Sequence, residues 1–546
     1  MDEHAGPFGN RSGPRSRTGC LTCRGKKVKC DETRPVCLRC ARLSRTCDWT
    51  QPPRKTPSRR PFRPRVRGSY PSPNPATPCP CPCPPQASES SACGLELDSH
   101  CHEAIALYQT LFAVSVDTKN PAYSLPAIIL TKAASAPSVM NMVLAIGHQL
   151  STTHSARKHP QEHTTGTRSL VAVDHYCQAL QLLGEATVST PGALLDLDVI
   201  LATVWLMAVY EQRFGEQPIP AITAHFRGVA AALKMVNLGE LARTAPDGAG
   251  DYCRTSSSSS TATVTATTPE LSCLGARILL FLVNMDARVA CRGFRGILNT
   301  ALAESVGDVP WPRVLVAVHE KSYPLHQVAW GDDYPTAEIL YDIEHKSAFD
   351  LLRDTSQLRL LIAELSWTRD SEQKLAKLAA IHVKIQALRR QHAELFIISE
   401  RMLDSDQNLS PGLATTLCWV IPHYHLAALH LLRIATATDH HVTDNQNRRA
   451  TCSQSILQLA MRGFQREGAP AIVRIALPLF LAGLETCDAF RQQWAVDRLR
   501  ELSRFGPRYE ASALLLKELQ ARRLSGARTE QDSDLLQSIL SEQVLM

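Results

Sequence analysis

From about residue 101 onward, apolar residues recur at intervals of three and four, the spacing of one helix face. The pattern predicts helices over Ala104–Val116, Val139–Leu150, Leu170–Leu183, Ala193–Tyr210, Ala221–Val236 and Leu271–Cys291. Further helices are expected near 337–367, 412–434, 453–466, 470–503 and 509–524. Strand-like alternation is scarce, so residues 101–525 read as one large all-α domain. The Ser/Thr-rich stretch Arg254–Thr268 reads as an exposed loop within it. Leu378, Ile381, Ile385, Leu388, His392 and Leu395 step by three and four; the run is short for a coiled-coil seam and fits an ordinary core helix better. The strongest apolar run, Val199–Tyr210, is twelve residues long. A membrane-spanning helix needs about 20, so no membrane partner is expected.

The helical pattern is absent from residues 51–100. Thirteen prolines fall between Pro52 and Pro85, and neither helix nor sheet can run through them. This stretch reads as a disordered linker. Its first part carries Arg54, Lys55, Arg59, Arg60, Arg63, Arg65 and Arg67, which suit either nuclear import with extra DNA contacts or a solvated spacer. Cys79, Cys81 and Cys83 alternate with prolines and read as part of the low-complexity spacer. His100, Cys101 and His102 open a helical pattern with no matching ligand pair nearby in sequence, and carry no site on that ground. Residues 1–17 read as a disordered arm.

Charge divides the chain in the same way. The net charge is +7, yet residues 1–70 hold 18 Lys+Arg against 5 Asp+Glu. The remainder is mildly acidic. A basic head on an acidic body fits a nucleic-acid module joined to a separate globular domain.

Within the head, residues 18–50 contain one unit used twice. Cys20, Cys23 and Cys30 repeat as Cys37, Cys40 and Cys47, each half reading C-x2-C-x6-C. Two thiolates three residues apart can grip one zinc ion, and a structural zinc takes four tetrahedral ligands. One four-cysteine site would strand two thiols. Two zinc ions need eight ligand positions, which six cysteines supply if two of them bridge. The spacing therefore favours a binuclear cluster with two Zn2+ as cofactors. Such a cluster carries a charge of about −2. Arg24, Lys26, Lys27, Lys29, Arg39, Arg42 and Arg45 exceed what it needs, and the surplus suits the phosphates of double-stranded DNA.

This stretch resembles the DNA-binding domain of fungal zinc binuclear cluster transcription factors, and Pro35 in the loop before Cys37 fits the same pattern. The resemblance implies a short helix in each half and bridging by the first and fourth cysteines, here Cys20 and Cys37. It implies that the helix after the second cysteine enters the major groove, with Lys26 and Lys27 reading a CGG-type triplet through guanine O6 and N7. Arg24, Lys29, Arg34 and Arg39 would then contact phosphates. Gly25 departs from the family, which has a larger residue there; it costs the helix about 1 kcal/mol relative to alanine. Many family members carry a coiled coil soon after the cluster. Here prolines begin at Pro52, leaving a monomer or a dimer made by the body.

The body resembles, more diffusely, the fungal-specific transcription factor domain over residues 104–500. Ser138–His148, Asp198–Glu211 and His225–Leu233 carry that likeness, which implies a helical regulatory domain. No Gly-rich phosphate loop, H-E-x-x-H or G-x-S-x-G motif occurs, and the chain does not read as an enzyme. Residues 526–546 interleave acidic residues with Leu535, Leu536, Ile539, Leu540 and Leu545. They suit either a coactivator surface or a terminal helix packed on the body. The expectation is a nuclear regulator of RNA polymerase II transcription that binds CGG-type half-sites, contacts coactivators or repressors, and controls metabolic or biosynthetic-cluster genes. The alternative is a zinc-stabilised interaction or scaffold protein that does not read DNA.

Overall fold

The computed structural model describes residues 20–25, 28, 30–43, 45–47, 49, 91–92, 95–158, 169–188, 196–244, 270–290, 295–404, 409–436 and 442–524. The chain divides into two compact units, residues 1–85 and 86–546. In the first, two five-residue helices, α1 (Leu21–Gly25) and α2 (Leu38–Arg42), flank the cysteines. The second unit is helical. Its one exception among the described residues is an antiparallel pair of two-residue strands, β1 (Ser91–Ala92) and β2 (Leu95–Glu96).

The predicted helices are present, with shifted ends and interruptions. Ala104–Val116 is observed as Ser99–Leu107, a π-turn at Tyr108–Phe112, and Ala113–Val116. The buried rings of Tyr108 and Phe112 stack with centroids 4.8 Å apart at this wider turn. The span 470–503 comprises Ala469–Arg474, Ala476–Glu485 and Ala489–Glu501. The 378–395 run lies in Ser371–Gln391 and Ala393–Asp404, and its residues Ile381, Ile385 and Leu388 are buried in the core of this unit. Helices at Leu125–Ala133, Leu238–Thr244, Ile297–Ser305 and Trp311–Ser322 were not foreseen. The Arg254–Thr268 stretch, Cys79, Cys81, Cys83 and residues 526–546 lie outside the described residues.

The helical body forms one compact unit, residues 86–546, with its apolar residues in two groups. The second unit has two hydrophobic cores, one drawn from Cys101–Leu325 and one from Ala348–Leu519. The 30-residue helix Thr336–Leu365 runs between them, packing on Cys273–Ala290 of the first and Pro411–Thr436 of the second. Periodicity marks which face of a helix is apolar but not which partner covers it, so a division into two cores is invisible in the pattern. Residues 114–119 help to join the halves. Thr118 Oγ1 lies 2.6 Å from the Tyr341 hydroxyl and 2.8 Å from Thr416 Oγ1. Lys119 pairs with Asp342 at 2.7 Å and Glu338 at 3.2 Å. Arg474 donates to the carbonyls of Val114 at 2.6 Å and Asp117 at 3.1 Å.

The apolar run Val199–Tyr210 becomes the centre of the first core. It lies in helix Leu197–Phe214, which is opened by Asp196 accepting from the amides of Asp198 and Val199. Residues Ile200–Tyr210 of this helix are all buried. No helix among the described residues is long and apolar enough to cross a membrane. Trp205 sits at its middle, with Phe112 and Phe281 at ring-centroid distances of 6.0 and 5.7 Å. Trp205→Ala removes this shared contact and leaves a cavity. The expected loss is about 3–5 kcal/mol of stability, read from thermal or denaturant unfolding followed by far-UV circular dichroism.

Candidate metal centre and nucleic-acid interface

A five-residue helix is too short to persist in water by itself. In the first unit its ends are held by sulfur. The Cys23 amide donates to Cys20 Sγ at 3.4 Å, and the Cys40 amide donates to Cys37 Sγ at 3.4 Å. Cysteine here takes the place of the usual Ser or Asp N-cap. Asp31 completes the second cap. One carboxylate oxygen accepts from the Leu38 amide at 2.9 Å and from the Thr33 hydroxyl at 2.6 Å; the other accepts from the Arg39 amide at 3.3 Å. The Thr33 hydroxyl and the Leu38 amide hold this carboxyl well below the usual range.

Further bonds tie the halves together. Thr22 Oγ1 donates to the Thr46 carbonyl at 2.7 Å. The Trp49 indole donates to the Pro35 carbonyl at 3.0 Å, following a cis Arg34–Pro35 peptide bond. The Arg34 guanidinium lies 4.7 Å over the Trp49 ring. Asp31, Thr22 and Trp49 were not singled out from sequence. A capping residue directly before a helix is a readable signal, but Asp31 lies seven residues before Leu38 and reaches its amide only through the folded loop.

The six cysteines converge. Their sulfurs form two groups of four, Cys20–Cys23–Cys30–Cys37 and Cys20–Cys37–Cys40–Cys47, each within 4.8 Å, and both groups contain Cys20 and Cys37. No disulfide joins them. Four thiolates around zinc at about 2.3 Å lie about 3.8 Å apart along each edge of the tetrahedron. The observed separations are 3.7 Å for Cys20–Cys37, 3.8 Å for Cys20–Cys40 and 3.8 Å for Cys23–Cys37. The donor set and its spacing therefore fit two zinc ions with a shared edge.

The protonation chemistry points the same way. Burial pushes the Cys20 and Cys23 thiols up, and Cys40 up to about 12. Burial also opposes ionisation of Cys37, but the Cys40 amide and neighbouring thiols hold it below its ordinary value; the Cys37 amide does the same for Cys47. The raised thiols, Cys20, Cys23 and Cys40, resist ionisation until a cation supplies the compensating charge.

Around this centre, Arg34 is exposed and Arg39 is partly exposed on α2. Lys26, Lys27, Lys29 and the side chain of Arg24 lie outside the described residues, although Arg24 falls on α1 just after Cys23. An isolated fragment of residues 1–70 is expected to contain two zincs by elemental analysis and to unfold when a strong chelator removes them. Cys20→Ala or Cys37→Ala should lose both ions, because each sulfur belongs to both groups. Cys47→Ala alters the ligand set of one ion.

The comparisons with known proteins bear on this module alone. Residues 18–56 match the model of the fungal Zn(2)-Cys(6) binuclear cluster domain. The chain is 57% identical over 49 residues to transcription factor lfc1 of Flammulina velutipes, covering 8% of this chain and 17% of that protein. It is 70% identical over 33 residues to the transcription activator AMTR1 of Alternaria alternata, covering 6% and 4%. It is 58% identical over 38 residues to the aspercryptin biosynthesis cluster-specific transcription regulator atnN of Emericella nidulans, covering 7% and 6%. The matched stretch is thus a small fraction of each relative. No solved structure matches. The N-terminal module of this chain is a fungal Zn(2)-Cys(6) binuclear cluster domain, a domain that binds two zinc ions.

Proposed function

We propose that this protein is a nuclear, sequence-specific DNA-binding regulator of RNA polymerase II transcription, and that its helical body is the regulatory part. The observation that carries this reading is the binuclear cluster domain itself, set among basic residues far in excess of its own charge. In this reading Cys20, Cys23, Cys30, Cys37, Cys40 and Cys47 hold the ions, with Cys20 and Cys37 bridging. Bound zinc supplies no reaction; it fixes α1 and α2 in a rigid scaffold.

The division of labour on DNA follows from chemistry. Lys26 and Lys27, just beyond α1, would donate to guanine O6 and N7 of a CGG-type triplet in the major groove. Arg24, Lys29, Arg34 and Arg39 would contact phosphates, which position the module without reading sequence. Control of metabolic or biosynthetic-cluster genes is supported by the relative named as a cluster-specific regulator. The body would carry contacts to coactivators or repressors.

Lys26→Ala and Lys27→Ala are expected to weaken binding to a CGG-containing duplex by about 1–3 kcal/mol each and to blur preference within the triplet. Arg39→Ala should instead weaken specific and nonspecific binding alike and flatten the slope of log K against log salt by about one unit. Fluorescence anisotropy with matched and scrambled duplexes at several salt concentrations distinguishes the two. Equal losses on every sequence for the lysine variants would argue against base reading.

Spacing is a second test. The segment after Cys47 reaches Pro52 and Pro53 at once, which leaves no room for a coiled coil beside the cluster. A proline-rich tether raises local concentration but fixes no distance between two heads. The isolated head should bind one half-site as a monomer. The full-length protein should tolerate wide variation in the separation of two half-sites on a duplex series. A sharp optimum with the head alone would count against this.

A further inference from the structure

We propose that Cys101, His148 and His175 form a third zinc site, mononuclear and set in the helical body, away from the cysteine cluster in sequence. The three residues come from three helices, Ser99–Leu107, Pro137–Lys158 and Leu170–Val188. One ligand atom from each lies within 4.8 Å of the others. The two imidazoles stack nearly parallel, at 3° between planes and 5.4 Å between centroids. Cys101 is 9% exposed and forms no disulfide.

Two observations point to a cation rather than to chance packing. His148 Nε2 is buried and has no hydrogen-bond partner. A buried ring nitrogen of this kind costs free energy unless something occupies its lone pair or takes its proton. The second observation is the tautomer of His175. Asn141 Nδ2 donates to the Pro137 carbonyl at 3.0 Å, which fixes the amide and presents Oδ1 to His175 Nδ1 at 2.8 Å. Nδ1 must then carry the proton, leaving Nε2 with the lone pair that a metal needs. A hydrogen bond from the far nitrogen to a fixed acceptor is how metal-binding histidines are usually oriented.

The backbone is arranged for this meeting. A Cβ at Gly147 would lie 2.2 Å from the Ala104 carbonyl oxygen. Only glycine lets helix Pro137–Lys158 approach helix Ser99–Leu107 so closely. The next residue is His148, which the approach brings to Cys101. Asp98, whose carboxylate accepts from the Cys101 amide at 2.8 Å, stands beside the thiol. Zinc suits one thiolate and two imidazoles, with a fourth position left to water or to Asp98. Arms of about 2.0–2.3 Å require ligand atoms about 3.3–3.7 Å apart, so the side chains need close by no more than about 1–1.5 Å on binding.

The site would act as a staple. Helix Ser99–Leu107 fully buries only Cys101 and Ala104; Ile105 and Leu107 pack against the core from its C-terminal end, so its N-terminal turns hold the fewest apolar contacts. A zinc bound to Cys101 would fix it to two longer helices.

The test uses the full-length protein, loaded with zinc and desalted. Elemental analysis should give three zincs per chain, falling to two in Cys101→Ser and in His175→Gln, with the helical circular dichroism of both retained. Asn141→Ala should weaken the third zinc by about 10–100-fold. The unmutated chain provides a second measurement. After chelation, added zinc should slow alkylation of Cys101 in peptide mapping and leave Cys177, exposed on helix Leu170–Val188, unchanged. Two zincs in the unmutated protein, a third that survives both substitutions, or zinc-independent alkylation of Cys101 would overturn the assignment.

Discussion

Crowding of sulfur around positive charge is the constraint on which the N-terminal module depends. Five of its cysteines are buried, and they are the whole of the buried apolar material among its described residues. A module this small cannot bury enough surface to fold on hydrophobic burial, and metal coordination supplies the missing free energy. The same sulfurs also cap both helices, so the ions order the secondary structure and the core together. Removal of the metal would leave two isolated turns and little else.

Cationic side chains follow from that arrangement. Zinc thiolate clusters leave a modest negative charge, and the Arg and Lys residues around this one exceed it. A rigid scaffold can present charges in a fixed pattern, which is the general condition for telling bases from phosphates. Arg34 illustrates the point: stacked on Trp49, it is held at the surface by a ring that is itself bonded to the Pro35 carbonyl.

How much of this was legible in sequence depends on whether the signal is local. The duplicated cysteine spacing is local, and so is three-and-four periodicity; both were readable, and the helices fell close to their expected places. Breaks at Arg474–Ala476 and at Tyr108–Phe112 were not readable, because apolar residues continue through them and only tertiary packing selects the bend. The Asp31 cap and the two-core division fail for the same reason. Cys101 is the sharpest case. In sequence it stands beside His100 and His102, which invites a ligand set made of neighbours. The structure instead pairs it with His148 and His175, each a whole helix away.

The two units thus meet the cost of chain ordering in different ways. The body spreads it over two apolar cores and long helices such as Thr336–Leu365, where each buried residue adds a little. The head concentrates it in a few strong, directional bonds. The first helix of the body stands between these regimes. Its sequence, Ser-His-Cys-His-Glu-Ala-Ile-Ala-Leu, is more polar than that of the buried helix Leu197–Phe214; Cys101 and Ala104 are its buried residues, and Ile105 and Leu107 pack against the core at its end. The triad proposed at its N-terminal end would use the same means as the head, metal coordination in place of apolar burial. It fixes direction as well as position, since a tetrahedral ion accepts its ligands along few lines of approach. That directional hold matters most where the chain leaves a proline-rich segment and must enter a packed helical layer in one register.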